Sequence, residues 1–187
     1  MPNFKSIIEQ IHEAQLQTLV PLETFREKEY LKTLPTRNRG MYWLWTSLSF
    51  DDLERKTKIS TKEEHKEVPI KKLITQRKDL KNTCKIQFED YVVVYNGIGG
   101  YKKEPASFGL RERINQEVKA NGPTVGTLNI LQNSNIKQWA VSYFNFDDPI
   151  NEKIISQLNS KNSYIDFAKD LEMLWRIQYG IPILTRH

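Results

Sequence analysis

Two tyrosines in strand-like segments are the residues of this sequence best placed for chemistry. Tyr42 lies in the apolar run GMYWLWTS, and Tyr95 lies in VVVYNGIGG, just before a glycine-rich stretch. Because side chains alternate between the two faces of a strand, Tyr42 is expected to share a face with Leu44, and Tyr95 with Val93 and Tyr91. If the strands pair, both phenols can project from one sheet face and form a site. For either tyrosine alone, the alternative is a core role with its hydroxyl bonded to the backbone.

A helix after the second tyrosine offers a cation to such a site. Leu110, Ile114 and Val118 form its apolar face, and Arg113 lies about 60° round the helix from Leu110. From that edge a guanidinium can reach past the core toward the sheet. Arg111 lies on the opposite flank, so the helical pattern leaves the choice between the two arginines open.

The last helix offers a carboxylate. Glu172 lies beside Ala168 and Trp175 of the buried stripe, and Asp170 flanks the other side. A carboxylate at the margin of a core is usually solvated, but it can also hold a divalent cation between the protein and a phosphate. Helical geometry ranks Glu172 and Asp170 about equally.

The totals indicate a single domain that needs neither a disulfide nor a metal to fold. The chain has 187 residues, a formal net charge of +5 and a pI near 9.2. Cys84 is the single cysteine and lies far from the scattered His12, His65 and His187, which argues against a disulfide framework, a zinc cluster and a Cys–His dyad. The N-terminus lacks the features of a secretory signal, and no apolar stretch is long enough to span a bilayer. A soluble, cytoplasmic protein is therefore expected.

Positive charge is concentrated between residues 52 and 84, where ten Lys or Arg residues accompany six acidic ones, a difference of +4. Such a stretch is either a solvated surface or a patch that contacts phosphates. Two further lysines follow the glycine-rich stretch after Tyr95. The candidate nucleic-acid contacts are Arg55, Lys56, Lys58, Lys71, Lys72, Arg77, Lys78, Lys102 and Lys103.

The order of the helices and strands that must position these side chains indicates an α+β fold, because they do not alternate as a doubly wound sheet requires. Hydrophobic periodicity and the placement of Gly and Pro set their limits. Helices are predicted before Pro21 and over 22–34, 71–80, 107–121, 149–158 and 163–179, and strands over 41–48, 85–96 and 136–146, the last paired with 126–131, with a turn at 97–100.

Four short motifs, taken together and in this order, resemble the GIY-YIG nuclease family. They are Gly40-Met41-Tyr42, Tyr95-Asn96-Gly97, the LRERI segment that contains Arg113, and LEMLWRIQYGIP, which begins at Leu171. The resemblance covers about 39–48 and 91–183 and implies a small three-stranded antiparallel sheet flanked by helices. By it, Tyr42 and Tyr95 are the site tyrosines, Arg113 is the helix arginine and Glu172 is the single metal-binding carboxylate.

Several positions differ from the family pattern. Met41 and Asn96 replace the usual apolar residues of the two tripeptides, Glu117 stands where many members have a histidine, and Thr185 corresponds to a common asparagine. The span between the tripeptides is also longer than the short hairpin of minimal members.

The resemblance implies a single nuclease domain over 1–187, with an N-terminal helical extension at 1–38, a basic insertion at 49–84 and no separate DNA-binding domain. This organisation is similar to stand-alone restriction enzymes of prokaryotes or phages. The implied activity is endonucleolytic hydrolysis of DNA, most simply double-stranded, with Mg²⁺ or Mn²⁺. Cleavage of both strands would be compatible with a homo-oligomer.

In the implied chemistry, a metal on Glu172 neutralises the phosphate and Arg113 donates to its nonbridging oxygens. Tyr42 acts as the base or positions the water, and Tyr95 orients it. One rival hypothesis is a nucleic-acid-binding module that keeps the fold but has lost catalysis, as Glu117 and Thr185 suggest. Another is an interaction protein whose aromatic residues all belong to the core.

Overall fold

The computed structural model describes residues 3–56, 68–100, 108–118, 127–158 and 163–185. The helices are α1 (Phe4–Leu16), α2 (Leu22–Phe25), α3 (Lys28–Thr33), α4 (Phe50–Lys56), α5 (Ile70–Arg77), α6 (Leu110–Val118), α7 (Ile130–Asn133), α8 (Glu152–Ile155) and α9 (Ser163–Tyr179). The strands are β1 (Val20–Pro21), β2 (Gly40–Thr46), β3 (Gln87–Phe88), β4 (Tyr91–Gly99) and β5 (Trp139–Asn145). No helix in these ranges combines the length and apolar character that crossing a membrane requires.

One antiparallel sheet organises the fold, with the strand order β1-β5-β2-β4-β3. The α+β class is therefore confirmed. The sheet has five strands where the resemblance implied three, because β1 and β3, each two residues long, extend its two edges.

The central strand is β2, and every one of its seven residues is buried. Its nearly continuous apolar sequence allows both faces to be covered, since a strand with polar residues on one face would need water there. Tyr42 and Leu44 belong to the core on one face, and Met41, Trp43 and Trp45 belong to the core on the other.

Helices cover the two faces of the sheet. On the face of Tyr42, α6 buries Leu110, Ile114 and Val118 at helical spacing, as the sequence predicts. On the opposite face lie α1 and α9, and the rings of Trp43 and Trp175 pack with centroids 5.6 Å apart. The predicted bounds of α9 agree with the structure, and Gly180, at φ +92°, ends the helix in the left-handed conformation.

A β-bulge in β4 changes which residues share a face. Leu44 pairs with Tyr95 and Trp45 pairs with Val93, so Val94 is an extra residue between the two pairs. Tyr95 pairs with Leu44 in the regular register and lies on the face of Tyr42, whereas beyond the bulge Val93 and Tyr91 pack on the other face. The prediction that Tyr95 shares a face with Val93 and Tyr91 is therefore wrong, because simple alternation does not hold across a bulge.

Two further element predictions need correction. The proposed pairing of 126–131 with 136–146 does not form, because 130–133 is the short helix α7 and β5 pairs with β1 and β2 instead. The 85–96 strand is divided at Glu89, which turns at φ +51° and joins β3 to β4. Gly97 and Gly99 continue β4, and the chain turns at Gly100, with φ +68°.

The predicted basic insertion at 49–84 contains α4 and α5, which pack against each other. Lys78 on α5 joins the two helices through ion pairs to Asp51, at 2.8 Å, and Glu54, at 3.1 Å. Residues 57–67 lie outside the described residues. The predicted extension at 1–38 is mostly helical, but it also supplies β1 to the sheet.

Candidate functional site

The two tyrosines of the sequence motif lie side by side on one face of the sheet. Their ring centroids are 6.1 Å apart, and Tyr42 is fully buried. Tyr42 stands opposite Gly97 in the β2–β4 pair, and a Cβ atom at Gly97 would lie 2.6 Å from its Cζ and hydroxyl oxygen. A glycine at this position is therefore what makes room for the phenol.

Arg113 reaches the tyrosines from α6. Its NH1 group donates to Gln116 Oε1 at 2.8 Å. Burial opposes the charge on its guanidinium, but Tyr42, Glu117 and Tyr95 together raise the pKa of Arg113. Arg111, the alternative from the helical pattern, instead donates to the carbonyl oxygen of Leu31 at 3.0 Å. Of the two arginines, the structure brings Arg113 to the tyrosines.

Glu117 is the carboxylate that contacts Tyr42. In the sequence, Glu117 stands out only because many family members have a histidine at this position. Its Oε1 accepts a 2.9 Å hydrogen bond from the Tyr42 hydroxyl, and its Oε2 accepts one of 2.9 Å from the Leu128 backbone N–H. Complete burial raises the pKa of Glu117, although these two hydrogen bonds and Arg113 act in the opposite direction. Its position four residues after Arg113, on the same side of the helix, was the available signal.

Glu172 lies on α9, the helix that packs on the opposite face of the sheet from α6. Its side chain is 15% exposed and pairs with Arg176, one turn further along the helix, at 2.7 Å. Burial raises the pKa of Glu172, and Arg176 and Arg113 partly offset that rise. Electrostatic interactions connect Glu172 to Tyr95 and Arg113, whereas Asp170 on the same helix is exposed.

Two departures from the family pattern lie against each other beside this ion pair. Asn96 Oδ1 accepts a hydrogen bond from Arg176 Nε at 2.9 Å and a longer one from the Thr185 hydroxyl at 3.4 Å. Asn96 Nδ2 is buried without a hydrogen-bond partner among the described residues. The family pattern has an asparagine at the position of Thr185. Here the amide group beside Thr185 belongs instead to Asn96 on β4. Neither this contact nor Arg176 was predicted from the sequence.

The environment keeps both phenols protonated near neutral pH. Burial raises the pKa of Tyr42 well above 10, and the charge of Glu117 raises it further. Burial and Glu117 likewise raise the pKa of Tyr95, while Arg113 opposes the rise. A role for either tyrosine as a base therefore needs a partner that takes the phenolic proton.

The residues present fit a metal ion held by one carboxylate. Within the described ranges, no three or more His, Cys, Asp or Glu side chains are grouped to hold a metal. Glu172 uses Oε1 for Arg176, and no hydrogen bond from a described residue engages its Oε2. Because Mg²⁺ often binds through one or two carboxylates together with waters and substrate phosphates, Glu172 can serve as such an anchor.

Lys71 and Lys72 are the candidate nucleic-acid contacts with the freest side chains. Both are exposed on α5 and form no ion pair with a described residue. Four other candidates cannot be compared with them. Lys58, Lys102, Lys103 and the side chain of Lys56 lie outside the described residues.

The remaining three candidates have partners within the protein. Arg77 donates hydrogen bonds to the backbone carbonyls of Ile183 and Thr185, and Lys78 pairs with the acidic residues of α4. Arg55 is exposed but forms an ion pair with Asp52 at 3.0 Å on its own helix. These three side chains are thus engaged within the protein, which distinguishes them from Lys71 and Lys72.

No protein-family model, curated protein or solved structure matches the chain. The GIY-YIG resemblance therefore depends on the four quoted motifs, considered beside the side-chain geometry described above.

Proposed function

We propose that this protein is a divalent-metal-dependent endonuclease of the GIY-YIG type that hydrolyses phosphodiester bonds in DNA. One observation carries the proposal: two phenols and a guanidinium lie together on one face of the sheet, and a carboxylate from a fourth element interacts electrostatically with them. The residues are Tyr42 on β2, Tyr95 on β4, Arg113 on α6 and Glu172 on α9. A purely structural core would not require this combination of polar groups at one place.

Each group matches a requirement of phosphodiester hydrolysis. Arg113 is suited to donate hydrogen bonds to the nonbridging oxygens and to balance charge that builds up on the phosphate. Tyr42 and Tyr95 are suited to orient the attacking water. Glu172 would hold Mg²⁺ or Mn²⁺, and the ion would supply Lewis-acid stabilisation of the phosphate and the leaving oxygen.

The substrate assignment to double-stranded DNA follows from the same resemblance and from the charge of the chain. Lys71 and Lys72 on α5 are the described candidates with side chains available for a phosphate backbone. A restriction-type activity would suit a protein in which recognition elements are part of the catalytic domain.

A cleavage assay with two matched variants tests the proposal. The purified protein should nick or cut plasmid DNA in the presence of Mg²⁺, and Glu172→Ala should lose at least about 10²-fold in cleavage rate while still binding DNA. Asp170→Ala removes an exposed carboxylate from the same helix and should cleave at the wild-type rate. Equal loss in both variants, or no loss in either, would contradict the assigned role of Glu172.

The binding-module hypothesis has an observation in its favour, because Glu172 is already paired with Arg176. On that hypothesis the wild type would bind DNA in a salt-dependent way without cutting it in Mg²⁺ or Mn²⁺. The same assay therefore distinguishes the two functions.

A further inference from the structure

A strained arginine and an exposed phenylalanine lie side by side, in the two segments that precede β2 and α6. We propose that Arg37 and Phe108 form a DNA-binding surface, in which the Arg37 guanidinium contacts a backbone phosphate and the Phe108 ring stacks on an unpaired base. The inference rests on the proposed function for its partner, DNA, and adds the kind of DNA that the protein favours. It concerns binding alone and needs no substrate at the buried tyrosines.

Arg37 has a backbone conformation that arginine rarely adopts. Its φ angle is +65°, in the left-handed region where the Cβ atom of a non-glycine residue is crowded. The residue lies in a turn, where glycine or asparagine usually supplies such an angle. An arginine here costs stability that a glycine would not, and such strain is typical of functional positions.

The surrounding structure holds Arg37 in this conformation. Both carboxylate oxygens of Glu112 on α6 accept from the Arg37 backbone N–H, at 3.3 and 3.4 Å. The Leu110 N–H donates to the Asn38 carbonyl oxygen at 2.6 Å, and a Cβ atom at Gly109 would collide with the Arg37 backbone. These contacts involve only the backbone of Arg37, so they leave its side chain available.

The side chain of Arg37 is placed to bind a ligand. It is exposed, and its guanidinium forms no hydrogen bond or ion pair with a described residue. Arg39, two residues further along, is instead paired with Asp147. A guanidinium matches the geometry of a phosphate, because its planar N–H groups can donate to two oxygens at once.

Phe108 adds an aromatic ring to the surface. It is 54% exposed, although phenylalanine is usually buried, and it directly precedes Gly109, which packs against Arg37. The Gly100 N–H donates to the Phe108 carbonyl oxygen at 2.8 Å and ties this residue to the end of β4. An aromatic ring beside a cation is the combination that binds single-stranded nucleic acid, because the ring stacks on a base and the cation contacts the backbone. In a fully paired duplex both faces of each base are covered by its neighbours, so the ring favours an unpaired base.

The surface lies beside the proposed site. Leu110 packs on the ends of β2 and β4: a Cβ atom at Gly99 would lie 2.6 Å from Leu110 Cα, and one at Gly40 would lie 3.0 Å from Leu110 Cδ2. Arg113 follows Leu110 by about one turn of α6. DNA held by Arg37 and Phe108 would therefore lie at the end of the helix that carries Arg113.

The first test measures the preference for an unpaired base. Fluorescence anisotropy without a divalent ion compares two labelled duplexes of the same sequence, one of which carries a single unpaired nucleotide. Phe108→Ala should bind that duplex roughly 5- to 150-fold more weakly than the wild type and lose the wild-type preference for it. Phe88→Ala removes a ring from an exposed position on β3 and should bind both duplexes as the wild type does.

The second test separates binding from folding. Arg37→Gly should weaken DNA binding and reduce the slope of log affinity against log salt concentration by about 1. Its melting temperature should not fall below that of the wild type, because glycine adopts a φ of +65° without steric cost. Arg26→Gly makes the same change at an exposed arginine with φ −85°, and should keep the salt slope while its melting temperature falls.

The outcomes distinguish the inference from the proposed function. If the wild type binds DNA and both Phe108→Ala and Arg37→Gly behave like their controls, the inference is overturned and the proposed function is not. Weaker binding together with a lower melting temperature in Arg37→Gly would indicate a structural role for the arginine and would also overturn the inference. If the wild type binds DNA through both residues but cuts no plasmid in Mg²⁺ or Mn²⁺, the inference holds and the nuclease function fails. A wild type that binds no DNA would overturn both.

Discussion

Two carboxylates in this protein are removed from water in different ways. Glu172 is 15% exposed and has a cation, Arg176, at 2.7 Å. Glu117 is fully buried, and its hydrogen-bond donors, the Tyr42 hydroxyl and the Leu128 N–H, are neutral. Neutral donors compensate a buried charge less well than an ion pair does, so Glu117 holds its ionised form at a cost to the folded state. A functional role for Glu117 would account for the retention of a carboxylate at this cost.

This cost predicts a specific pH dependence of stability. Because the pKa of Glu117 is raised in the folded state, the folded protein keeps a proton above pH 4.5 that the unfolded chain has released. The contribution of Glu117 to stability is therefore fully present below pH 4.5 and is lost as pH rises through the folded pKa. Urea unfolding at a series of pH values should show the wild type losing stability relative to Glu117→Gln over this window. A constant difference between the two proteins at every pH would contradict this prediction.

At the residue scale, the sequence was sufficient to propose the side chains that hydrolysis needs. It was not sufficient to identify their hydrogen-bond and ion-pair partners within the protein. Tyr42 and Arg113 could be proposed from residue type and position. Glu117 and Arg176 each lie four residues beyond a candidate on the same helix, at Arg113 and Glu172. The spacing places such pairs side by side, but many exposed pairs share it, so burial was needed to distinguish them.

At the scale of elements, the β-bulge in β4 is the feature that separates Tyr95 from the face of Val93 and Tyr91. It was not predictable, since a bulge depends on the pairing of two strands and leaves no reliable mark in either one. Helix α9 was predicted with correct bounds because its apolar stripe and its terminal Gly180 are both local signals. Strand partners depend on residues distant in the chain, which explains why the partner proposed for β5 was wrong.

The close approach of Gly97 to Tyr42 makes an element-scale prediction. In Gly97→Ala, the added methyl group would lie 2.6 Å from the Tyr42 ring, so the ring must move. We expect a loss of about 1–3 kcal/mol in the free energy of unfolding, together with lower cleavage activity. Chemical denaturation of the double variant Gly97→Ala/Tyr42→Ala provides the control, because the cost of the methyl group should largely disappear without the ring. Equal costs in the two backgrounds would locate the strain elsewhere.

At the scale of the whole molecule, the candidate site depends on both faces of the sheet. Tyr42, Tyr95 and Arg113 belong to the face covered by α6, whereas Glu172 is carried by α9, which packs on the opposite face through Trp175. The strand β4 lies near the sheet edge, with just the short β3 beyond it. The class of fold could be predicted from the order of elements, but which face of the sheet each helix covers could not.

The distribution of charge over the whole molecule makes the last prediction. If α5 faces DNA, Lys71→Ala/Lys72→Ala should weaken DNA binding and reduce the slope of log affinity against log salt concentration by about 2. Lys5→Ala/Lys153→Ala removes the same charge from exposed positions on α1 and α8 and should leave that slope unchanged. Fluorescence anisotropy with a labelled duplex and no divalent ion measures both slopes without cleavage. Equal slopes in the two double variants would mean that Lys71 and Lys72 contribute only to the overall positive charge of the protein. A contact with a phosphate depends on the position of the residue, whereas net charge does not.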